Sequence, residues 1–160
     1  LYAKALEYAA PDNTKVIADL YCGAGTIGLS MAKTAGKIVG VEIVPQAVEN
    51  AGKNAESNNI TNAEFHCGDS GEVFAKLRSS GCDPDIIVLD PPRKGCSEET
   101  LQTVCVAQPD KIVMISCNPS TAARDAKWLS NNGYSTVKVC GFDLFPRTRH
   151  VECVVLMSRK

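Results

Sequence analysis

The feature that most constrains this chain is a repeated change of hydrophobic period along it. Short apolar runs at residues 16–20, 37–41, 63–67, 85–89 and 111–115 alternate with amphipathic stretches at 26–35, 45–57, 70–79, 97–107 and 119–131. The runs have the length of strands, and the longer stretches carry apolar residues at helical spacing. Local punctuation agrees with this division. Pro45 falls in the first turn of one predicted helix, Ser97 followed by Glu98 and Glu99 opens another, and Gly133 follows the end of a third. A further helix is predicted over 1–9. Strict alternation of strand and helix implies a parallel sheet with helices on both faces. The pattern then breaks. Residues 134–141 and 151–157 both read as strands with no room for a helix between them, so they are expected to run antiparallel to each other.

At 160 residues, 44% hydrophobic and 22% charged, the chain can build one domain with a sizeable core, and 1–160 is read as a single domain. It opens at Leu1 already inside a predicted helix, which reads as a piece of a longer protein. No apolar run approaches the ~20 residues of a membrane helix, and no leader pattern is visible. The eight cysteines include no C-x-x-C pair, and neither histidine has a partner at ligand spacing. That argues against a zinc or iron–sulfur site and for a reducing, cytoplasmic setting. A net charge of −1 is not the basic footprint usual for nucleic-acid binders, which leaves room for RNA contact made chiefly by other domains.

Between the first strand and the next helix lies DLYCGAGTIG, from Asp19 to Gly28. Glycines there let the backbone turn sharply and approach a ligand at a helix N-terminus. Gly23, Gly25 and Gly28 satisfy G-x-G-x-x-G, and Glu42 at the end of the second strand can accept a ribose diol, so this loop fits a nicotinamide dinucleotide or S-adenosylmethionine. Three features favour the methyl donor. Asp19 precedes the glycines, where it can face the cationic end of that ligand. Asp69 follows the third strand, where it can meet the adenine edge. The fourth strand ends in Asp90-Pro91-Pro92-Arg93, a turn typical of methyltransferases acting on nucleic-acid bases or amides. With the antiparallel close, the expected fold is α/β: a Rossmann-like S-adenosylmethionine-dependent methyltransferase fold, with a seven-stranded, mostly parallel sheet and an antiparallel last strand.

The fifth strand runs into Ser116-Cys117-Asn118-Pro119, which puts Cys117 at the ligand edge just before a helix, where the dipole favours an anionic sulfur. Glu152 begins the last strand; if that strand is reversed, Glu152 lies on the same edge. One thiol, one carboxylate and one methyl donor meet the needs of uracil C5 methylation. Carbon 5 becomes nucleophilic only after a thiolate adds at carbon 6, and a base must then remove the C5 proton. Standing alone, either residue would read as an ordinary strand end.

The segments LYCGAGTIG, VGVE, LDPPRKGC, SCNPST and RTRHVECV together resemble the catalytic, C-terminal domain of the bacterial RNA uracil-5-methyltransferases, which modify ribosomal RNA and the T-loop uridine of transfer RNA. The resemblance implies Cys117 as nucleophile and Glu152 as base. It implies Tyr21, Thr26, Glu42, Asp69 and Asp90 as contacts to S-adenosylmethionine beside Gly23 and Gly25, with Asp90 also reaching the uracil. It implies an RNA partner, with 23S ribosomal RNA the expected target; the residues themselves give the expectation of no membrane contact and no metal within this chain. Members of that family usually carry an N-terminal RNA-binding β-barrel and a β-rich insert, neither of which lies within residues 1–160. Arg93, Lys94, Arg147 and Arg149 are candidate phosphate contacts, which position RNA without reading its sequence. His66 reads as a strand-end core residue, His150 as a weak candidate to support Glu152, and Phe142 and Phe145 as packing of the last hairpin. The competing readings are a base-amine or amide methyltransferase that needs no thiol, a nicotinamide dehydrogenase, and a catalytically silent binding module.

Overall fold

A computed structural model describes residues 1–160. It comprises α1 (Tyr2–Ala9), β1 (Val16–Leu20), α2 (Thr26–Met31), β2 (Lys37–Glu42), α3 (Pro45–Ser57), β3 (Ala63–Cys67) and α4 (Ser70–Ser79). There follow β4 (Ile86–Leu89), α5 (Glu98–Ala107), β5 (Lys111–Ser116), α6 (Pro119–Asn131), β6 (Tyr134–Phe142) and β7 (Glu152–Arg159). The strands form one sheet in the order β3-β2-β1-β4-β5-β7-β6. The pairs among β1 to β5 are parallel, and β7 is antiparallel to both β5 and β6. Thus β6 runs with the first five strands and β7 alone is reversed, as the sequence implies.

Strand order reverses at the β1–β4 pair, since the chain proceeds outward from β1 to β3 and then crosses back to β4. Ligands of open α/β sheets bind beyond the strand carboxyl ends at such a point. The turns after β1 and β4 carry Tyr21 and Asp90. Placement of β7 between β5 and β6 brings the start of β7 beside the end of β5.

Alternate residues of the central strands feed two cores. Leu20, Ile87, Leu89, Ile112 and Met114 join Phe74, Leu101 and Leu129 beneath α4, α5 and α6. Ile17, Val88, Val113 and Ile115 join Ala5, Ile27 and Met31 beneath α1 and α2. Both faces are covered, so the central strands are apolar without alternation. Phe74 is fully buried and anchors α4, whose first turn borders the ligand edge. Phe74→Ala should cost about 3–5 kcal/mol of stability, read from urea unfolding midpoints.

The caps lie where local chemistry puts them. Ser97 Oγ accepts from Thr100 N–H, and Asn118 Oδ1 accepts from Ser120 N–H with Pro119 in the first turn. One boundary differs: α2 ends at Met31, although helical periodicity extends to residue 35. Residues 32–35 form a turn instead, and the Asn62 amide holds that turn by donating to the carbonyls of Ala32 and Ala35, each at 2.9 Å.

Candidate active site

The β1 and β4 turns, with the ends of β2 and β3, enclose a cavity of about 400 Å³ lined by Tyr21, Glu42, Ile43, Asp69, Asp90 and Pro91, among others. Tyr21 adopts a left-handed conformation at φ 69°, sparsely populated for a residue with a side chain. Two consecutive amides, of Tyr21 and Cys22, hold it by donating to the Val41 carbonyl at 2.9 and 3.0 Å. Its hydroxyl pairs with Thr100 Oγ1 at 3.0 Å, so the ring stands as a wall.

Glu42 is fixed through both oxygens: Gly23 N–H donates to Oε2 at 3.0 Å and Val44 N–H to Oε1 at 2.9 Å. Each oxygen keeps a further lone pair for a diol. Asp69 caps α4, with Oδ1 accepting from Gly71 N–H at 2.8 Å and Glu72 N–H at 3.3 Å, so its other oxygen is the one open to a ligand. Ile43, 61% exposed, adds an apolar surface beside these carboxylates. It was not singled out from the sequence; the available signal was an apolar residue directly after a strand-ending acid. Carboxylates on a flat apolar residue and an aromatic wall fit a nucleoside bearing a ribose diol.

Gly25 and Thr26 do not line this cavity. Gly25, at φ 80°, packs so closely that a Cβ would lie 3.1 Å from the Phe65 ring. Thr26 borders a separate groove with Leu29, Lys33 and Asn54. Asp19 also departs from expectation. It does not face an open cofactor end but is fully buried, with Oδ2 accepting from Gly28 N–H at 2.8 Å and Oδ1 without a partner. A Cβ on Gly28 would lie 2.9 Å from Asp19 Oδ2 and 2.9 Å from Ile38 Cγ2, so glycine is needed for the close approach.

Burial pushes the Asp19 carboxyl up to about 7; the Gly28 hydrogen bond opposes this, while Asp90 and Glu42 add to it. The folded value lies above the unfolded one, so the folded chain binds more protons across the interval between them. Stability from this group therefore falls as pH rises from about 4 to 7. Asp19→Asn, which carries no charge, should gain stability relative to the parent between about pH 5 and pH 8. Equal differences at both pH values would show that Asp19 titrates normally.

On the other side of Asp90 lies the thiol. The β5–β7 register ends at Ser116 opposite Cys153, and one step further places Cys117 opposite Glu152. Directly opposed residues of an antiparallel pair project to the same face. Both are half-buried, and both raise the Cys153 thiol after burial does. Burial, then Glu152, pushes Asp90 up to about 6. The sequence-derived candidates Cys117, Glu152 and Asp90 thus converge at one edge, continuous with the cavity holding Tyr21, Glu42 and Asp69.

Arg93, Lys94, Arg147 and Arg149 are exposed and engaged by no carboxylate. His150 does not support Glu152; its Nδ1 lies 3.3 Å from Arg93 Nη1 and its ring meets Phe145 edge-on. Phe142 packs against the core as expected, whereas Phe145, in the loop between β6 and β7, is 51% exposed. His66 is not a core residue: β3 is an edge strand, and the ring is half-exposed, 3.4 Å from Glu64. No cluster of three or more His, Cys, Asp or Glu could hold a metal, and no helix is long and apolar enough to cross a membrane.

Comparison with known proteins agrees with this geometry. A protein described as an uncharacterized RNA methyltransferase of Bacillus cereus is 52% identical over 159 residues, which is 99% of this chain and 35% of that protein. A similarly described Oceanobacillus iheyensis protein is 48% identical over the whole chain, again 35% of its length. The chain therefore spans about a third of these relatives. Among solved structures, the Pyrococcus abyssi tRNA (uracil-54, C5)-methyltransferase in complex with S-adenosyl-L-homocysteine superposes with a TM-score of 0.81 at 32% identity, over 97% of this chain and 37% of that one. A precorrin-8W decarboxylase from Methanobacterium thermoautotrophicum gives the same TM-score at 18% identity and shares the fold alone. The family described as tRNA (uracil-5-)-methyltransferase matches residues 3–160, and this chain belongs to that family.

Proposed function

We propose that the chain is the methyl-transfer unit of an S-adenosylmethionine-dependent enzyme acting on carbon 5 of a uridine in RNA. The observation that carries this reading is that Cys117, directly after β5, and Glu152, the first residue of β7, flank the last β5–β7 pair, Ser116 with Cys153, beside the Asp90 turn. Bound in the cavity, S-adenosylmethionine supplies an electrophilic methyl group. Glu42 would hold the ribose diol, Ile43 and the Tyr21 ring would bound the adenosine, and Asp69 would accept from the adenine edge. The name of the Pyrococcus abyssi neighbour and the S-adenosylhomocysteine it binds support this choice over a dinucleotide.

Cys117 Sγ adds to C6 of the flipped-out uracil, leaving negative charge on the O4–C5 system; C5 then takes the methyl group as its bond to the sulfonium sulfur breaks, the electron pair leaving with S-adenosylhomocysteine. Glu152 removes the C5 proton. The electron pair of that C–H bond restores the C5–C6 double bond and expels Sγ. Asp90, pushed up to about 6 by burial and then by Glu152, lies at the edge where a carboxyl can hydrogen-bond the uracil. The base must leave its stack to be reached, so the substrate is an unpaired or splayed uridine. The expected target is 23S ribosomal RNA; a transfer RNA is the second reading, favoured by the neighbour's name.

The test is to incubate the full-length protein with S-adenosylmethionine and RNA containing 5-fluorouridine. Fluorine cannot leave as the proton does, so the intermediate should stall as an adduct that peptide mapping places on Cys117. Competing 23S and transfer RNA transcripts, each mapped for 5-methyluridine, identify the target. Binding of NAD in preference to S-adenosylhomocysteine, or methylation of an exocyclic amine, would overturn the proposal.

A further inference from the structure

The turns that carry Asp90 and Cys117 are tied together by the first two turns of α6. Asn118 Nδ2 and Thr121 Oγ1 donate to the Arg93 carbonyl at 3.1 and 3.3 Å. Arg124 Nη2 donates to the Lys94 carbonyl at 3.0 Å and the Cys96 carbonyl at 3.4 Å. Asp125 Oδ2 accepts from the Cys96 amide at 2.8 Å, and its Oδ1 pairs with Arg124 at 2.6 Å. Between them Gly95, at φ 81°, leaves no room for a side chain: a Cβ would lie 2.4 Å from Arg124 Nη2 and 2.6 Å from Asp125 Oδ2. The carbonyls of Arg93, Lys94 and Cys96 and the Cys96 amide are thus all bonded to α6 and its cap, and that helix begins two residues after Cys117.

Asp125 is 1% exposed, in the same stripe of α6 as Ala122, Ala126 and Leu129. A buried carboxylate is retained there only if it is fully paired, and both its oxygens are used. An apolar residue would satisfy the packing of that stripe. A carboxylate and guanidinium instead hold the backbone of a loop whose other end carries Asp90.

We propose that Arg124 and Asp125 are positioning residues that hold the Asp90 turn at a fixed separation from the Cys117 turn, so that the uracil edge and its C6 are presented together. This rests on the uridine reading above. Neither residue lines the cofactor cavity, so the separation between turns is set without touching cofactor affinity. Misplacement of reacting groups by about 1 Å costs on the order of 100-fold in rate.

The test uses the full-length protein with Arg124→Ala, Asp125→Ala and Asp125→Asn. Arg124 is 56% exposed, so its truncation leaves the core intact. Expected for Arg124→Ala is a fall of on the order of 10- to 100-fold in the rate of adduct formation with 5-fluorouridine RNA. The S-adenosylhomocysteine Kd should be unchanged and hydrogen exchange at the Cys96 amide faster, while the unfolding midpoint should fall because Asp125 Oδ1 loses its partner. Asp125→Asn keeps an acceptor for that amide and should retain more activity than Asp125→Ala. Parallel losses in adduct rate, cofactor affinity and unfolding midpoint would reduce the pair to a structural role and overturn the proposal. So would undiminished adduct rates, or unchanged exchange at Cys96. Failure of the wild-type protein to form any adduct would sink the reaction itself, whereas a competent wild type with unaffected variants would sink this inference alone.

Discussion

Cys117→Ala should abolish methylation of uridine by the full-length enzyme, lowering the rate by at least about 10³-fold, with S-adenosylhomocysteine binding and thermal stability unchanged. The expectation follows from the substrate. Carbon 5 of uracil does not attack a methyl donor until addition at C6 has broken the conjugation of the ring, and in the proposed mechanism the Cys117 thiolate is the group that adds. None of the three buried cysteines can stand in. Cys153, the nearest in the β5–β7 register, is 6% exposed, and its thiol is pushed up by burial and by Glu152. Cys96 and Cys22 are buried and driven up to about 12, chiefly by desolvation. The substitution also spares the helix that follows, because Asn118 supplies the α6 cap and Pro119 its first turn. Methylation rates and adduct yield, measured beside S-adenosylhomocysteine titration, decide it. Retained methylation would mean that the Asp90-Pro91-Pro92 turn serves an amine or amide, a reaction that needs no nucleophile.

The parts of this site that were legible in the sequence are those fixed by local chemistry. Strand and helix alternate because each run's period differs, and the starts of α3, α5 and α6 follow from Pro45, Ser97 and Pro119. Cys117 and Glu152 could be placed on one edge from the antiparallel close alone. Their direct opposition needs one further fact, that β7 inserts between β5 and β6, and no local signal encodes it. Asp19 shows the same limit in reverse. An acid before a glycine loop reads as a ligand contact, yet packing of α2 on β1 encloses it completely and leaves it a hydrogen bond to Gly28. Arg124 and Asp125 went unread because a charged pair in a helix is ordinarily a solvated face. The signal lay in the stripe of Ala122, Ala126 and Leu129, which Asp125 shares. Likewise the turn that follows α2 is held by the amide of Asn62, distant in sequence, which donates to the Ala32 and Ala35 carbonyls.

Glu152→Gln should produce the opposite phenotype from Cys117→Ala: a covalent protein–RNA species that forms on ordinary uridine and persists. Glutamine preserves the shape of the side chain at the start of β7 and leaves Cys117 in place, so addition at C6 and methyl transfer to C5 proceed. The amide cannot accept the C5 proton, so the electron pair needed to expel Sγ is not released, and turnover should fall by about 10²–10⁴-fold. Intact mass should then show protein plus RNA plus one methyl group, only when S-adenosylmethionine is supplied. The exchange also removes the charge that, after burial, raises Asp90, so the Asp90 carboxyl should titrate lower in this variant. The adjacent His150 is poorly placed to take over as base, since its Nδ1 is directed to Arg93 and its ring to Phe145. Full turnover by Glu152→Gln would assign proton removal to another group, with Asp90 the next candidate. Loss of both turnover and the covalent species, with RNA still bound, would mean that Glu152 acts before the methyl group is transferred, in activating Cys117 or seating the uracil.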